Sequence, residues 1–171
     1  MELKHIASYY PHGLTLADED ENLCTLRTLY PDCVGVEYKY NVGEYEKNFD
    51  DIKLILRNLS ELTKEIEHNG EKFVPMDKII ENMNNMGCMQ VVYASENKGE
   101  DYEVINIYDA ETVGEDAESD PVIITQIILD NIQFTEYHIA EKLIEWKFDI
   151  FNLIGKGEAI DVNTLQTNPY K

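Results

Sequence analysis

Apolar and polar positions alternate over much of the first 110 residues, and a period of two predicts strands rather than helices. Val34, Val36, Tyr38 and Tyr40 alternate with Gly35, Glu37 and Lys39, which gives a strand one apolar-aromatic face and one polar face. Residues 23–30 alternate less regularly. Residues 5–10 and 14–17 read as two short β-prone runs on either side of the turn Pro11-His12-Gly13, and the second ends in the acidic run Asp18-Glu19-Asp20-Glu21-Asn22, a hairpin loop. Residues 52–56 are a dense apolar run suited to a buried strand. Asn69-Gly70 accepts the positive φ angles of a type I′ turn and predicts a two-residue hairpin. After Pro75, the spacing of Ile79, Ile80 and Met83 predicts a short helix near 76–85. Residues 89–94 and 102–108 form a further strand pair, the second favoured by Val104, Ile105 and Ile107.

The remaining third changes character. Residues 121–131 open on Pro121 and continue as a β-branched run that periodicity alone leaves between strand and helix, with strand preferred for its branching. Thr135 can cap a helix whose first turn carries Glu136. Ile139, Leu143, Trp146, Ile150 and Leu153 recur at helical spacing, flanked by Ala140, Ile144, Phe148, Phe151 and Ile154. These residues predict one long helix near 135–154, stopped by Gly155 and Gly157. Its apolar face is wide enough to need cover on two sides, from this chain or from a second copy. The expected fold is α+β: a mainly antiparallel sheet from the first 110 residues, a short helix near 76–85, and the long C-terminal helix near 135–154 packed on it. The whole is read as a single domain, 1–171, with an acidic loop near 110–120 and a frayed tail near 166–171.

Charge narrows the partners. The 171 residues carry 34 acids against 14 bases, a net −20. Residues 61–120 hold 16 acids and 4 bases. Such a surface repels bare nucleic acid and anionic lipid, since no basic patch is present to release counterions from phosphates. A protein partner with a basic surface is the electrostatic match. Within the acidic loop, the carboxylates of Glu111, Glu115, Asp116, Glu118 and Asp120 could occupy a basic groove that otherwise holds phosphates. The chain opens Met1-Glu2-Leu3-Lys4-His5, without a basic then apolar leader, and no apolar run approaches the ~18 residues of a membrane span. A cytoplasmic location is expected. Cys24, Cys33 and Cys88 are odd in number and lack CxxC spacing, which favours reduced thiols over a Cys24–Cys33 disulfide.

Three blocks of the sequence have a recognisable wording: residues 5–14 (HIASYYPHGL), 59–75 (LSELTKEIEHNGEKFVP) and 145–154 (EWKFDIFNLI), the last continuing through 157–165 (GEAIDVNTL). They resemble a family of small uncharacterised proteins encoded by bacteriophages and prophages of gut-type anaerobic bacteria. The resemblance spans the chain apart from residues 88–130 and implies a phage setting inside a bacterial host, with no assigned activity, cofactor or site. Lys147 and Asn152 stand where it leads one to expect a histidine and a glycine.

Reactive chemistry finds little support. His5, His12, His68 and His138 lack metal spacing, and no HExxH, HxH, CxxC or DxDxDG pattern occurs. His138 and Glu141 lie one helical turn apart, an arrangement met far more often as an exposed surface pair than as ligands. Gly155-Lys156-Gly157 lacks the upstream glycine and the following Ser or Thr of a phosphate loop, and no GxSxG elbow is present. Carboxylates are so numerous that close pairs arise by chance. No catalytic residue, metal or cofactor is therefore expected. Tyrosines on strands (Tyr38, Tyr40, Tyr102, Tyr108) supply surface that can roof a core or meet a partner. The reading is a non-catalytic acidic binding protein acting on a host or phage macromolecule, in the manner of a nucleic-acid-mimicking decoy or inhibitor. The alternatives are a symmetric assembly protein dimerising through the C-terminal helix, and a small-molecule binder or enzyme with a tyrosine-lined pocket.

Overall fold

A computed structural model describes residues 1–41, 43–86, 90–97, 103–114, 120–128 and 137–171. In chain order its elements are α1 (Leu3–Tyr9), β1 (Thr15–Asp18), β2 (Leu23–Leu29), β3 (Cys33–Tyr38), β4 (Tyr45–Asn48), β5 (Ile52–Leu56), β6 (Ile66–His68), β7 (Glu71–Phe73), α2 (Pro75–Asn85), β8 (Val91–Asn97), β9 (Glu103–Asp109), β10 (Ile123–Ile128), α3 (Tyr137–Glu145) and β11 (Ala159–Asp161). The fold is α+β and mostly strand. Its residues divide into two compact units, Met1–Asn58 with Leu143–Tyr170, and Leu59–Lys142 with Lys171.

The first unit is built on a six-stranded sheet in the order β11-β5-β1-β2-β3-β4. All pairs are antiparallel except β11 with β5. The registers Leu16↔Leu54, Leu16↔Cys24 and Leu26↔Val36 place these side chains on one face. That face forms the core together with Ile6, Tyr9, Leu14, Val34, Ile52 and Leu153. Residues 5–10, expected as a strand, are helical in α1. Ile6 and Tyr9, three apart, are both fully buried on the same core, which a helical period allows and strand alternation, placing them on opposite faces, does not. On the opposite face a smaller cluster joins Ala17 and Ile55 to Val162 and Tyr170. The tail is therefore anchored rather than frayed: the Tyr170 hydroxyl donates to the Ile55 carbonyl at 2.7 Å.

The expected long helix is the main correction, because α3 ends at Glu145. Lys147 adopts φ 67°, the left-handed conformation. The Lys147 amide donates to the Ile144 carbonyl at 3.0 Å, and the Phe148 amide reaches back to the Leu143 carbonyl at 2.8 Å. This pair of bonds is a Schellman stop, and the fully buried Leu143 and Phe148 supply its accompanying apolar contact. Glycine normally holds that position, since an L side chain costs ~1–2 kcal/mol there. Here the Lys147 ammonium offsets the cost by donating to the carbonyls of His12 (2.9 Å) and Glu145 (2.8 Å). Beyond the stop, Arg57 and Phe148 make a parallel bridge. The Asp149 carboxylate then accepts the amides of Leu153 and Ile154 at 2.8 and 2.7 Å. Asn152, again at positive φ (54°), and Gly157 (73°) shape the next turn. Ile150, Phe151, Leu153 and Ile154 do enter the core, but from a looped segment of this chain.

In the second unit, β6 and β7 pair across Asn69 (φ 52°) and Gly70 (φ 80°), the expected two-residue hairpin. Pro75 opens α2, where its missing N–H costs nothing. A three-stranded antiparallel sheet follows in the order β10-β9-β8. Residues 123–128 are thus strand, and β10 returns beside β9 rather than beside the earlier sheet. One face of this sheet, with Val91, Ile105, Ile107, Thr125 and Ile127, is buried. On that face the Tyr93 hydroxyl donates to Asp77 of α2 at 2.9 Å. No helix among the described residues is long and apolar enough to cross a membrane.

Candidate functional site

The acidic loop joins β9 to β10, and its base is held by a small hydrogen-bond knot. The Asp109 amide donates to the Val122 carbonyl (3.1 Å) and the Ala110 amide to the Gln90 carbonyl (2.9 Å). The Thr112 hydroxyl donates to the Asp109 carbonyl (2.9 Å) and accepts the Val122 amide (2.9 Å). The Asp109 carboxylate accepts the Glu111 amide at 3.0 Å and caps a short 3-10 turn, Ala110–Thr112. Of the sequence-predicted site residues, Glu111 and Asp120 flank this knot and are exposed. Glu115, Asp116 and Glu118 lie outside the described residues.

Beside the knot is the second face of the three-stranded sheet, whose central strand is covered as well: Val104, Asn106 and Tyr108 are 3%, 0% and 9% exposed. Tyr108 pairs with Val92 on one side and Ile123 on the other, so the three side chains form a row across the strands. Val92 and Ile123 are 39% and 44% exposed, and Val122 and Val113 at the loop base reach 51% and 43%. Val92 and Ile123 lie on the Tyr108 face, whereas Val122, whose carbonyl accepts the Asp109 amide opposite Val91, lies on the other. Along the Tyr108 face runs a polar ladder. Gln126 Nε2 donates to Asn106 Oδ1 (2.6 Å), Asn106 Nδ2 to the Tyr108 hydroxyl (3.0 Å), and that hydroxyl to Glu96 Oε1 (2.5 Å). Asn106 is fully buried. Each of its bonds therefore works in a dry environment, where an unmade bond would cost most. The ladder ties the Tyr108 hydroxyl to β8 through Glu96 and, through Asn106, to β10. Tyr108, which the sequence leaves between roofing a core and meeting a partner, is buried; the exposure of Val92, Val113, Val122 and Ile123 was not legible, because it depends on which strand lies beside which.

Other sites are less well built for chemistry. The Asp18 carboxylate accepts the amides of Asp20 (3.0 Å) and Asn22 (2.9 Å) and the Tyr38 hydroxyl (2.7 Å). Burial alone would raise its pKa, but the bonds from Tyr38, Asn22 and Asp20 hold it below the usual carboxylate value. Those bonds organise the β1–β2 turn, as the sequence predicts for a hairpin loop. A cleft of about 600 Å³ is lined by Asp18, Asn22, Leu23, Tyr38, Lys39 and Tyr40; Asp18 and Tyr38, its tyrosine-carboxylate pair, already satisfy one another. Cys24 and Cys33 are free thiols. Burial pushes the Cys24 thiol up to about 11, which suits a packed side chain and not a nucleophile. Among the described residues no group of three or more His, Cys, Asp or Glu is arranged to hold a metal ion.

Comparison with known proteins gives no matching family model, no matching curated protein and no matching solved structure.

Proposed function

We propose that the protein is a non-catalytic, phage-encoded acidic binding protein that acts on a host or phage macromolecule, with the β9–β10 loop presented to a basic surface. The observation that carries this reading is the charge of the second unit, 19 acids against 6 bases. Three of those bases are already engaged, Lys72 with Glu65 (3.9 Å), Lys78 with Glu71 (2.5 Å) and Lys171 with Glu67 (3.5 Å). Long-range attraction would steer such a unit toward cations and away from phosphates. The loop knot supports the same reading, because it presents Glu111 and Asp120 from a fixed base. The phage setting and cytoplasmic location rest on the resemblance of residues 5–14, 59–75 and 145–154.

Symmetric assembly through the C-terminal helix has less to stand on. That helix is 9 residues long, and Leu143, Trp146, Phe148 and Leu153 are buried within a single chain. The test of the leading reading is affinity capture from host lysate at low and at raised ionic strength. A cationic protein retained at low salt and released at high salt is the expected result. Recovery of no basic partner at low salt would overturn the proposal.

A further inference from the structure

We propose that the cleft between the C-terminal tail and the six-stranded sheet binds a short peptide with free ends, its carboxylate on Lys53 and its ammonium on Glu21. The site lies wholly in the first unit and is independent of the acidic-loop reading above.

The registers Ala17↔Leu23, Ala17↔Lys53 and Ile160↔Ile55 put these side chains on the sheet face opposite the main core. The tail crosses that face, where Val162 and Tyr170 pack on Ala17 and Ile55. It does not fill it. A cleft of about 620 Å³ remains, formed by Leu23, Lys53 and Ile160 of the sheet, Glu21 of the β1–β2 turn and tail residues 164–167. That volume is in the range of sites for drug-sized ligands, larger than one amino acid needs.

Unpaired charge selects the ligand. Lys53 is exposed. The other seven lysines and arginines of the first unit are each engaged by a carboxylate, a carbonyl or a ring, whereas Lys53 meets none. Glu21 also makes no side-chain bond. Its φ of 62° is strained for an L side chain, and the Asp18 carboxylate holds that turn through Asp20 and Asn22 instead. One cation and one anion thus line the same cleft without pairing with each other.

The surroundings narrow the choice further. Asp18, Glu19, Asp50 and Asp51 line a smaller cleft that shares Glu21, Lys53 and Ile160 with the first. A phosphate or a lone carboxylate would face these acids with one lysine in compensation, and a simple cation would have no use for Lys53. A zwitterion satisfies both charges. Leu23, 39% exposed, and the half-buried Ile160 and Leu165 offer apolar contact to its side chains. The exposed Gln166 and Thr167 carry open hydrogen-bonding groups for its peptide bond.

The probes are leucyl-leucine, leucyl-leucinamide, N-acetyl-leucyl-leucine and free leucine. Each is titrated into the intact protein through the millimolar range at neutral pH and read by the methyl shifts of Leu23, Ile160 and Leu165. Diffuse attraction to a chain of net −20 favours the cationic amide. The zwitterion site reverses that order: leucyl-leucine is expected to bind about threefold tighter than leucyl-leucinamide, tighter still against the acetylated peptide, and tighter than free leucine. Lys53→Met should remove the preference over the amide, and Glu21→Gln should narrow the preference over the acetylated peptide. Both substitutions are on the surface, so the fold is expected to survive them. An amide that binds as tightly as leucyl-leucine, a preference that survives Lys53→Met, free leucine that matches the dipeptide, or no movement of these methyl signals would each overturn the proposal. None of those results bears on salt-dependent capture of a basic protein, which tests the acidic loop.

Discussion

Lys147 carries two loads at one position, a left-handed backbone and a buried charge. Its side chain is almost wholly enclosed. Desolvation brings its pKa down to about 8, with Glu145 pulling it up and Arg57 pushing it further down. The folded value lies below the 10.5 of a free lysine, so between these two pH values the unfolded chain binds more protons than the folded one. Stability from this group is therefore lowest below about pH 8 and recovers as pH rises toward 10.5. Cys24, raised to about 11, acts in the opposite sense above its ordinary 9, so the readout is the difference between two proteins. Urea unfolding of wild type and Lys147→Met across this range should show a component rising with pH in wild type and missing from the variant. Parallel profiles would contradict the burial of a charged ammonium. At Asp18 the expectation has the other sign. Its depressed pKa contributes stability above the ordinary carboxylate value that is lost as pH falls through the folded one. Asp18→Ala removes the acceptor of four donors, the Asp20 and Asn22 amides, the Asn22 side-chain amide and the Tyr38 hydroxyl, and should cost on the order of 1–3 kcal/mol at neutral pH. Asp18→Asn, which keeps an acceptor for the two amides, should cost less, and equal losses would refute the amide-acceptor role.

Among the elements, the β9–β10 loop is the one on which the proposed function turns. Thr112→Val removes the hydroxyl that joins Asp109 to Val122 and should cost about 1 kcal/mol locally. It should be seen as faster hydrogen exchange at the Val122 amide, with the Ile105 and Ile107 amides of β9 unaffected. Uniform acceleration along β9 would mean that the knot supports the sheet and not the loop. Several elements were legible from the chain. The Asn69-Gly70 hairpin, α2 after Pro75 and the paired β8 and β9 follow from turn chemistry and local period. The end of α3 was not legible, because a lysine in the left-handed stop gives none of the warning that glycine would give. The apolar residues 148–154 kept a helical spacing by serving a core from a looped chain. The candidate site was half legible: its carboxylates are visible in composition, whereas the row Val92–Tyr108–Ile123, with Tyr108 buried between two half-exposed edge residues, exists only once β10 has paired with β9.

For the molecule as a whole, charge outweighs any single contact. A net −20 spread over 171 residues opposes compaction and self-association, and the excess is greater in the second unit than in the first, which has 15 acids against 8 bases. Added salt should therefore raise the thermal midpoint while lowering affinity for a basic partner, two opposite trends from one screening effect. A midpoint that does not respond to salt would indicate that self-repulsion is already relieved within the fold. Association is tested most directly by affinity capture from host cells at low ionic strength, comparing the native protein with a variant that neutralises the loop (Glu111→Gln, Glu115→Gln, Asp116→Asn, Glu118→Gln, Asp120→Asn). A cationic protein retained by the native chain and lost from the neutralised one is the predicted result. Equal recovery by both, or recovery of no cationic protein by either, would contradict it.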